Sequence, residues 1–164
     1  MQLAFKILAN ATYGFTGVGK TKGPMLGLQA ISETTTFLGR EAITLCHDRL
    51  TDGSFVRFLH AERPKLMESV PPDARVEVVY GDTDSLFFSW TDDLPMDLIF
   101  RLGNESGDFL TDEVRRVYVR HTDPNNPFKV EHEKSGWGLY IRKKMYAMVK
   151  FEKVSECEKW EYEG

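Results

Sequence analysis

An α/β chain of the α+β kind, helical in its first third and built on antiparallel strands thereafter, is predicted by three features of the sequence. Apolar residues recur at helical spacing over 1–16 and again over 24–50. A β-branched and aromatic run broken by Gly81-Asp82 spans 76–90, the pattern of a hairpin. Two strand-like segments follow, Phe128–Glu133 and Leu139–Phe151. With 164 residues, 41% of them hydrophobic and 28% charged, the chain is neither disordered nor fibrous, and is the size of one domain or of a piece of something larger.

In the first helix, Ala4, Leu8, Ala11 and Phe15 form an apolar face at i, i+4, i+7 and i+11. Lys6, Asn10, Tyr13 and Gly14 fall opposite. A basic, an amide and an aromatic group aligned there suit a phosphate-bearing ligand. Ala9-Asn10-Ala11 resembles a signal-peptide cleavage site, but no basic region precedes it and Lys6 interrupts the apolar stretch. After a glycine-rich turn, Pro24 opens a second helix, with Ile31, Thr35, Leu38, Ala42 and Leu45 as its expected buried stripe.

Residues 51–75, with Gly53, Pro64, Pro71 and Pro72, read as a loop carrying a short helix. Pro95 to about Val119 reads as a helix weakened by Gly103 and Gly107. The run 123–127 breaks the chain, and the tail after Glu152 is acidic. No apolar run approaches the roughly 20 residues of a membrane span.

A net charge of −4 gives no sign of a nucleic-acid partner, so any such role must come from local clusters. Cys46 and Cys157 read as free thiols. The histidines at 47, 60, 121 and 132 lack metal-ligand spacing.

Gly14–Thr21 matches the P-loop template G-x-x-x-x-G-K-S/T letter for letter. That template needs a strand leading in and a helix starting at the Lys-Thr pair. Here the lead-in is helical and Gly23-Pro24 falls in the first turn, so the context fails. Asp82-Thr83-Asp84 carries more weight. On an extended chain i and i+2 point the same way, so both carboxylates are expected on one side of the hairpin near its tip. Turn capping explains an isolated D-T-D, but rigid apolar strands on either side suit a magnesium site. In Arg142–Tyr146, read as one strand, Tyr140, Arg142, Lys144 and Tyr146 share a basic-aromatic face, and Ile141, Met145, Ala147 and Val149 the other. Such a face suits a nucleic-acid backbone, or equally an edge strand guarded by lysines.

Taken in order, these segments resemble family B DNA polymerases, of the eukaryotic delta-like and large DNA virus type. KILANATYGFTG resembles the fingers motif K-x-x-x-N-S/A-x-Y-G. VVYGDTDSLF resembles the palm motif Y-G-D-T-D-S. KVEHEKSGWGLYIRKKMYAM resembles the later stretch in which L-E-x-E-K precedes K-K-x-Y. The helix GPMLGLQAISETTTFLGREAI is similar to the segment between the first two motifs.

The resemblance implies a helical fingers segment joined to part of a palm whose antiparallel sheet carries the active-site hairpin tip. It implies DNA-directed transfer of deoxynucleotides from dNTPs to a primer 3′-OH with two Mg2+ ions. Lys6, assisted by Asn10, would contact the dNTP phosphates, and Tyr13 and Gly14 would lie against the nascent base pair. Asp84 would bridge the catalytic metals and Asp82 would support that site. Lys143, Lys144 and Tyr146 would hold primer-template DNA. Glu131 and Glu133 match the carboxylates before K-K-x-Y, in a structural or accessory-metal role. Partners would be primer-template DNA, dNTP and a processivity factor, with no membrane, in the nucleus or a host nucleus.

Ala11, where cellular relatives carry serine, Met145, where a basic residue is frequent, and His132, at an aromatic or apolar position, lean toward a viral enzyme. Nothing matches the palm motif D-x-x-S-L-Y-P, which supplies the other bridging aspartate, nor the exonuclease motifs or thumb. The chain is therefore expected to be an internal fragment, inactive alone, with Met1 not a true start. Residues 1–50 would hold the last fingers helix and the following palm helix, 51–75 a variable connection, 76–151 the palm hairpin, helix and primer-contacting strands, and 152–164 the truncated start of the next segment. A P-loop NTPase and a non-catalytic nucleic-acid-binding module remain the alternatives. A reverse transcriptase fits less well, since the motif is D-T-D-S rather than Y-x-D-D.

Overall fold

The computed structural model describes residues 29–82, 84–118, 128–142, 145–151 and 160–163. The expected first helix, the Gly14–Thr21 run and Lys6, Asn10, Tyr13 and Gly14 lie outside the described residues. The chain forms two compact units, Met1–Ala42 and Ile43–Gly164. In the first, the described residues are the opening turns of helix α1 (Gln29–Thr51).

Not all of the expected stripe on α1 is buried. Ile31, Thr35 and Leu38 are exposed, and Ala42 and Leu45 only half-buried. Burial begins at Cys46 and Leu50, four residues apart. Helical spacing identifies an apolar face, but burial needs a partner element; within the second unit α1 supplies Cys46 and Leu50 to the core. There Arg49 donates to Glu113 at 2.6 Å, fastening the helix end to the long helix over Met96–Tyr118. Cys46 is a free thiol whose pKa burial pushes up to about 11, which keeps it unreactive.

The stretch read as a loop with a short helix is instead two helices, α2 (Ser54–Glu62) and α3 (Pro64–Met67). Gly53 enters α2 at φ 80°, a left-handed conformation that favours glycine, and the Ser54 amide donates to Asp52 Oδ1 at 2.7 Å. Pro64 sits in the first turn of α3, where its missing N–H is harmless. This region supplies Phe55, Leu59, Leu66, Met67, Val70 and Ala74 to the core.

The expected hairpin is present as antiparallel strands β1 (Val76–Asp82) and β2 (Ser85–Trp90). Helix α4 (Met96–Tyr118) follows, within a residue or so of its expected bounds. Three antiparallel strands form a second sheet in the order β3 (Ser135–Arg142), β4 (Met145–Phe151), β5 (Trp160–Glu163). The segment expected as one strand over Leu139–Phe151 is therefore divided. Arg142 partners Met145, so the two strands are antiparallel neighbours, and the alternation of one continuous strand does not apply from Tyr140 through to Tyr146. Tyr140 and Tyr146 are direct partners in the ladder, which keeps these two positions on one side of the sheet. No helix among the described residues is long and apolar enough to cross a membrane.

Phe128–Glu133 pairs with no strand among the described residues. Its backbone bonds go to side chains of α4: the Val130 amide donates to Thr111 Oγ1 at 2.8 Å, and the Arg115 guanidinium donates to the Phe128 carbonyl at 2.7 and 3.0 Å. Gly103 and Gly107 do not weaken α4; they are buried and admit this segment. A Cβ on Gly107 would stand 3.1 Å from both the Val130 carbonyl oxygen and the His132 amide nitrogen. Alanine in a helix interior normally gains up to about 1 kcal/mol over glycine. At Gly107 we expect a net loss of about 1–3 kcal/mol, because backbone atoms must shift. Gly39→Ala, with nothing within 4 Å, should instead stabilise the chain. Urea midpoints of the two variants should move in opposite directions.

Burial holds the His132 imidazole below its ordinary pKa of 6.5, partly opposed by a hydrogen bond to the Lys134 backbone. The folded state therefore prefers the neutral ring. The resulting stabilisation is complete above about 6.5, the unfolded value, and is lost as pH falls toward and through the folded value. His132→Phe should flatten the difference in urea midpoint between roughly pH 7.5 and roughly pH 5.

Candidate active site

The tip of the β1–β2 hairpin brings the two predicted carboxylates together, though not as an extended chain would. Asp82 ends β1 opposite Ser85, leaving residues 83 and 84 as a two-residue connection. The Asp84 amide donates to the Asp82 carbonyl at 2.5 Å and Ser85 Oγ donates to the same oxygen at 3.2 Å. Asp84 thus sits in the turn, exposed, while Asp82 is half-buried on the strand. The chain is therefore not extended from Asp82 through Asp84: Asp82 closes the strand and Asp84 lies in the turn.

Two features aim the tip. A bulge at Val79 sets Val78 opposite Phe88 but Tyr80 opposite Phe87, with the last two rings 5.8 Å apart. Bulges of this kind bend a strand and re-aim the side chains beyond them. Gly81 lets the tip close, since a Cβ there would lie 3.0 Å from Leu86 Cδ2. The hairpin base is fixed by Val76 and Trp90, both buried, and by Arg75 and Thr91, joined by hydrogen bonds of 2.9 Å.

Beside the tip lies an open hollow of ≈ 360 Å³, lined by Gly81, Asp82, Ser85 and Leu86 of the hairpin and Ile43, Thr44 and His47 of α1. The three α1 residues were not among the sequence candidates. Their i, i+1, i+4 spacing puts them on one helix face, but nothing in the sequence says that this face meets the hairpin. The His47 imidazole Nδ1 lies 3.2 Å from Asp48 Oδ1.

Magnesium takes one or two protein carboxylates and completes its shell with water and substrate phosphates. Asp82, closing β1, and Asp84, in the turn, fit that donor set. Among the described residues no group of three or more metal-ligating side chains gathers. The pair therefore suits a share of a magnesium site, with further ligands required from elsewhere. Lys143 and Lys144 lie outside the described residues, and Tyr146 is placed by its backbone only, as the partner of Tyr140.

The family model for DNA polymerase family B matches residues 1–164. The chain is similar to the DNA polymerase delta catalytic subunit of Candida albicans, 32% identical over 166 residues that cover 99% of this chain. It is also similar to the corresponding subunit of Schizosaccharomyces pombe, at 31% over 99% of the chain. The DNA polymerase catalytic subunit of human herpesvirus 8 type P (isolate GK18) is 35% identical over 81% of the chain. The matched regions are only 13%, 13% and 12% of those proteins.

Proposed function

The chain belongs to DNA polymerase family B, and on that footing we propose that it is the fingers–palm part of a DNA-directed DNA polymerase catalytic subunit. The reaction is transfer of deoxynucleotides from dNTPs to a primer 3′-OH on a template. The observation that carries this reading is the pair of carboxylates at a tight hairpin tip, Asp82 closing β1 beyond a bulge and Asp84 in the turn. Asp84, exposed in the turn, holds Mg2+, and Asp82, half-buried beside it, supports that site. Two such ions, when bound, lower the pKa of the primer hydroxyl and stabilise charge on the leaving pyrophosphate. A second bridging carboxylate comes from a segment outside these 164 residues, so the isolated chain does not extend primers.

Lys6, with Asn10, neutralises triphosphate charge, while Tyr13 and Gly14 bear on the shape of the new base pair. Lys143, Lys144 and Tyr146 hold the primer-template. In this reading 1–50 is fingers helix and palm helix, 51–75 a connection, 76–151 palm, and 152–164 the start of the next segment. The lineage is viral, on Ala11, His132 and Met145, and the site of action is the nucleus, with a processivity factor as a partner.

Single-nucleotide incorporation by the polymerase containing this segment tests the reading. Incorporation should need template and Mg2+ and be lost on Asp84→Ala. DNA-independent ATP hydrolysis removed by Lys20→Ala, with Asp84→Ala silent, would replace the reading with a P-loop NTPase.

A further inference from the structure

The β3–β4 hairpin, whose connection holds Lys143 and Lys144, has its root on α4, and one side chain joins the two. His132 lies against a single face of α4: its ring is edge-on to Phe100 at 5.0 Å, a Cβ on Gly103 would stand 2.6 Å from its Nε2, and its Nδ1 is 2.8 Å from Asn104 Oδ1. Positions 100, 103 and 104 share that face by helical spacing. On the other side, His132 Nε2 is 2.8 Å from the hydroxyl of Ser135, the buried first residue of β3.

The Asn104 amide oxygen assigns one tautomer and with it the direction of both bonds. An amide oxygen only accepts, so Nδ1–H donates to Asn104. In a neutral ring Nε2 then accepts from the Ser135 hydroxyl. Both nitrogens are used, and the absent Cβ at position 103 gives the ring its seat. A phenyl ring of similar size fits the same space and makes neither bond.

We propose that His132 is a positioning residue that sets the stance of the β3–β4 hairpin on α4, and through it the grip on primer-template DNA. This rests on the proposed DNA-binding role of Lys143 and Lys144. At about 3.3 Å per residue the seven steps from Ser135 to Arg142 span roughly 23 Å, so a tilt of about 5° at the root moves the far end by about 2 Å. Displacements of that size matter where a bound substrate must be aligned. The crossing segment keeps its other anchors, Thr111 to Val130 and Arg115 to Phe128, so a variant at 132 should still fold.

The test uses the polymerase that carries this segment and measures primer-template Kd beside the melting temperature. His132→Phe and Ser135→Ala should each raise Kd about tenfold, and the double variant no further, because both cut the same link. His132→Gln, which keeps a donor and an acceptor, should recover part of the loss. Unchanged Kd in both single variants, with Lys143→Ala or Lys144→Ala weakening binding, would overturn the positioning role and leave the DNA-binding reading intact. Unchanged Kd in the lysine variants as well would remove that reading, and the positioning role with it.

Discussion

On the proposed function, Asp84→Ala in the whole protein that contains this segment should lower the single-turnover extension rate by at least ~10³-fold, about 4 kcal/mol of transition-state stabilisation. Primer-template affinity should stay within a few-fold. A bound divalent cation supplies several kcal/mol by holding charge on transferring and leaving oxygens, and it does so only where a carboxylate fixes it. The fold should be indifferent: Asp84 is exposed, and the bond that shapes the turn comes from its main-chain amide. Surface substitutions of that kind stay within about 0.5 kcal/mol of neutral. Asp82→Ala is a different case. That side chain is half-buried in the hollow shared with Thr44 and His47, so its loss should affect rate and stability together. Extension by Asp84→Ala within tenfold of the parent would remove the metal from this turn and the polymerase reading with it.

Much of the fold was legible where local chemistry and tertiary demand agree. The run from Val76 to Trp90 is rich in β-branched and aromatic residues, carries its own Gly-Asp signal and becomes a hairpin. Met96–Tyr118 keeps its helical period despite two glycines. What was misread depends on partners that no local pattern names. Gly103 and Gly107 look like helix breakers, yet they are the floor on which Val130 and His132 rest. Phe55, Phe58 and Leu59 do stand at i, i+3, i+4, but the surrounding Gly53 and prolines drew the eye to a loop. The division of 139–151 into two antiparallel strands has no glycine or asparagine to announce it. The site shows the same division. That Asp82 and Asp84 sit at a hairpin tip was readable; that Asp82 closes the strand and Asp84 lies in the turn, beyond a bulge at Val79, is a matter of register. The face of α1 that lines the hollow was not readable at all.

Phe55→Ala should be the most damaging core change, at about 3–5 kcal/mol. Phe55 is wholly buried, and its ring centroid lies 5.5 Å from Phe109 of α4, 6.3 Å from Trp90 and 6.5 Å from Phe88 of β2. Three elements thus meet on one ring, and none of them can move inward to fill its absence without leaving the other two. The cavity term should stand near its full value, and the lost aromatic pairings add to it. Against a typical domain stability of about 5–15 kcal/mol, that is a large share. The consequence for activity differs in kind from that of Asp84→Ala. Phe88 and Trp90 form the root of the strand that follows the acidic turn, so a softened root should lower the fraction of molecules with a formed tip. The rate per folded molecule should change far less. Urea midpoints and active-site titration separate the two: Phe55→Ala should lose titratable sites and keep turnover per site. A loss under about 1 kcal/mol would mean that the site collapses freely, and that the hairpin is held chiefly by the hydrogen bonds of Arg75 and Thr91.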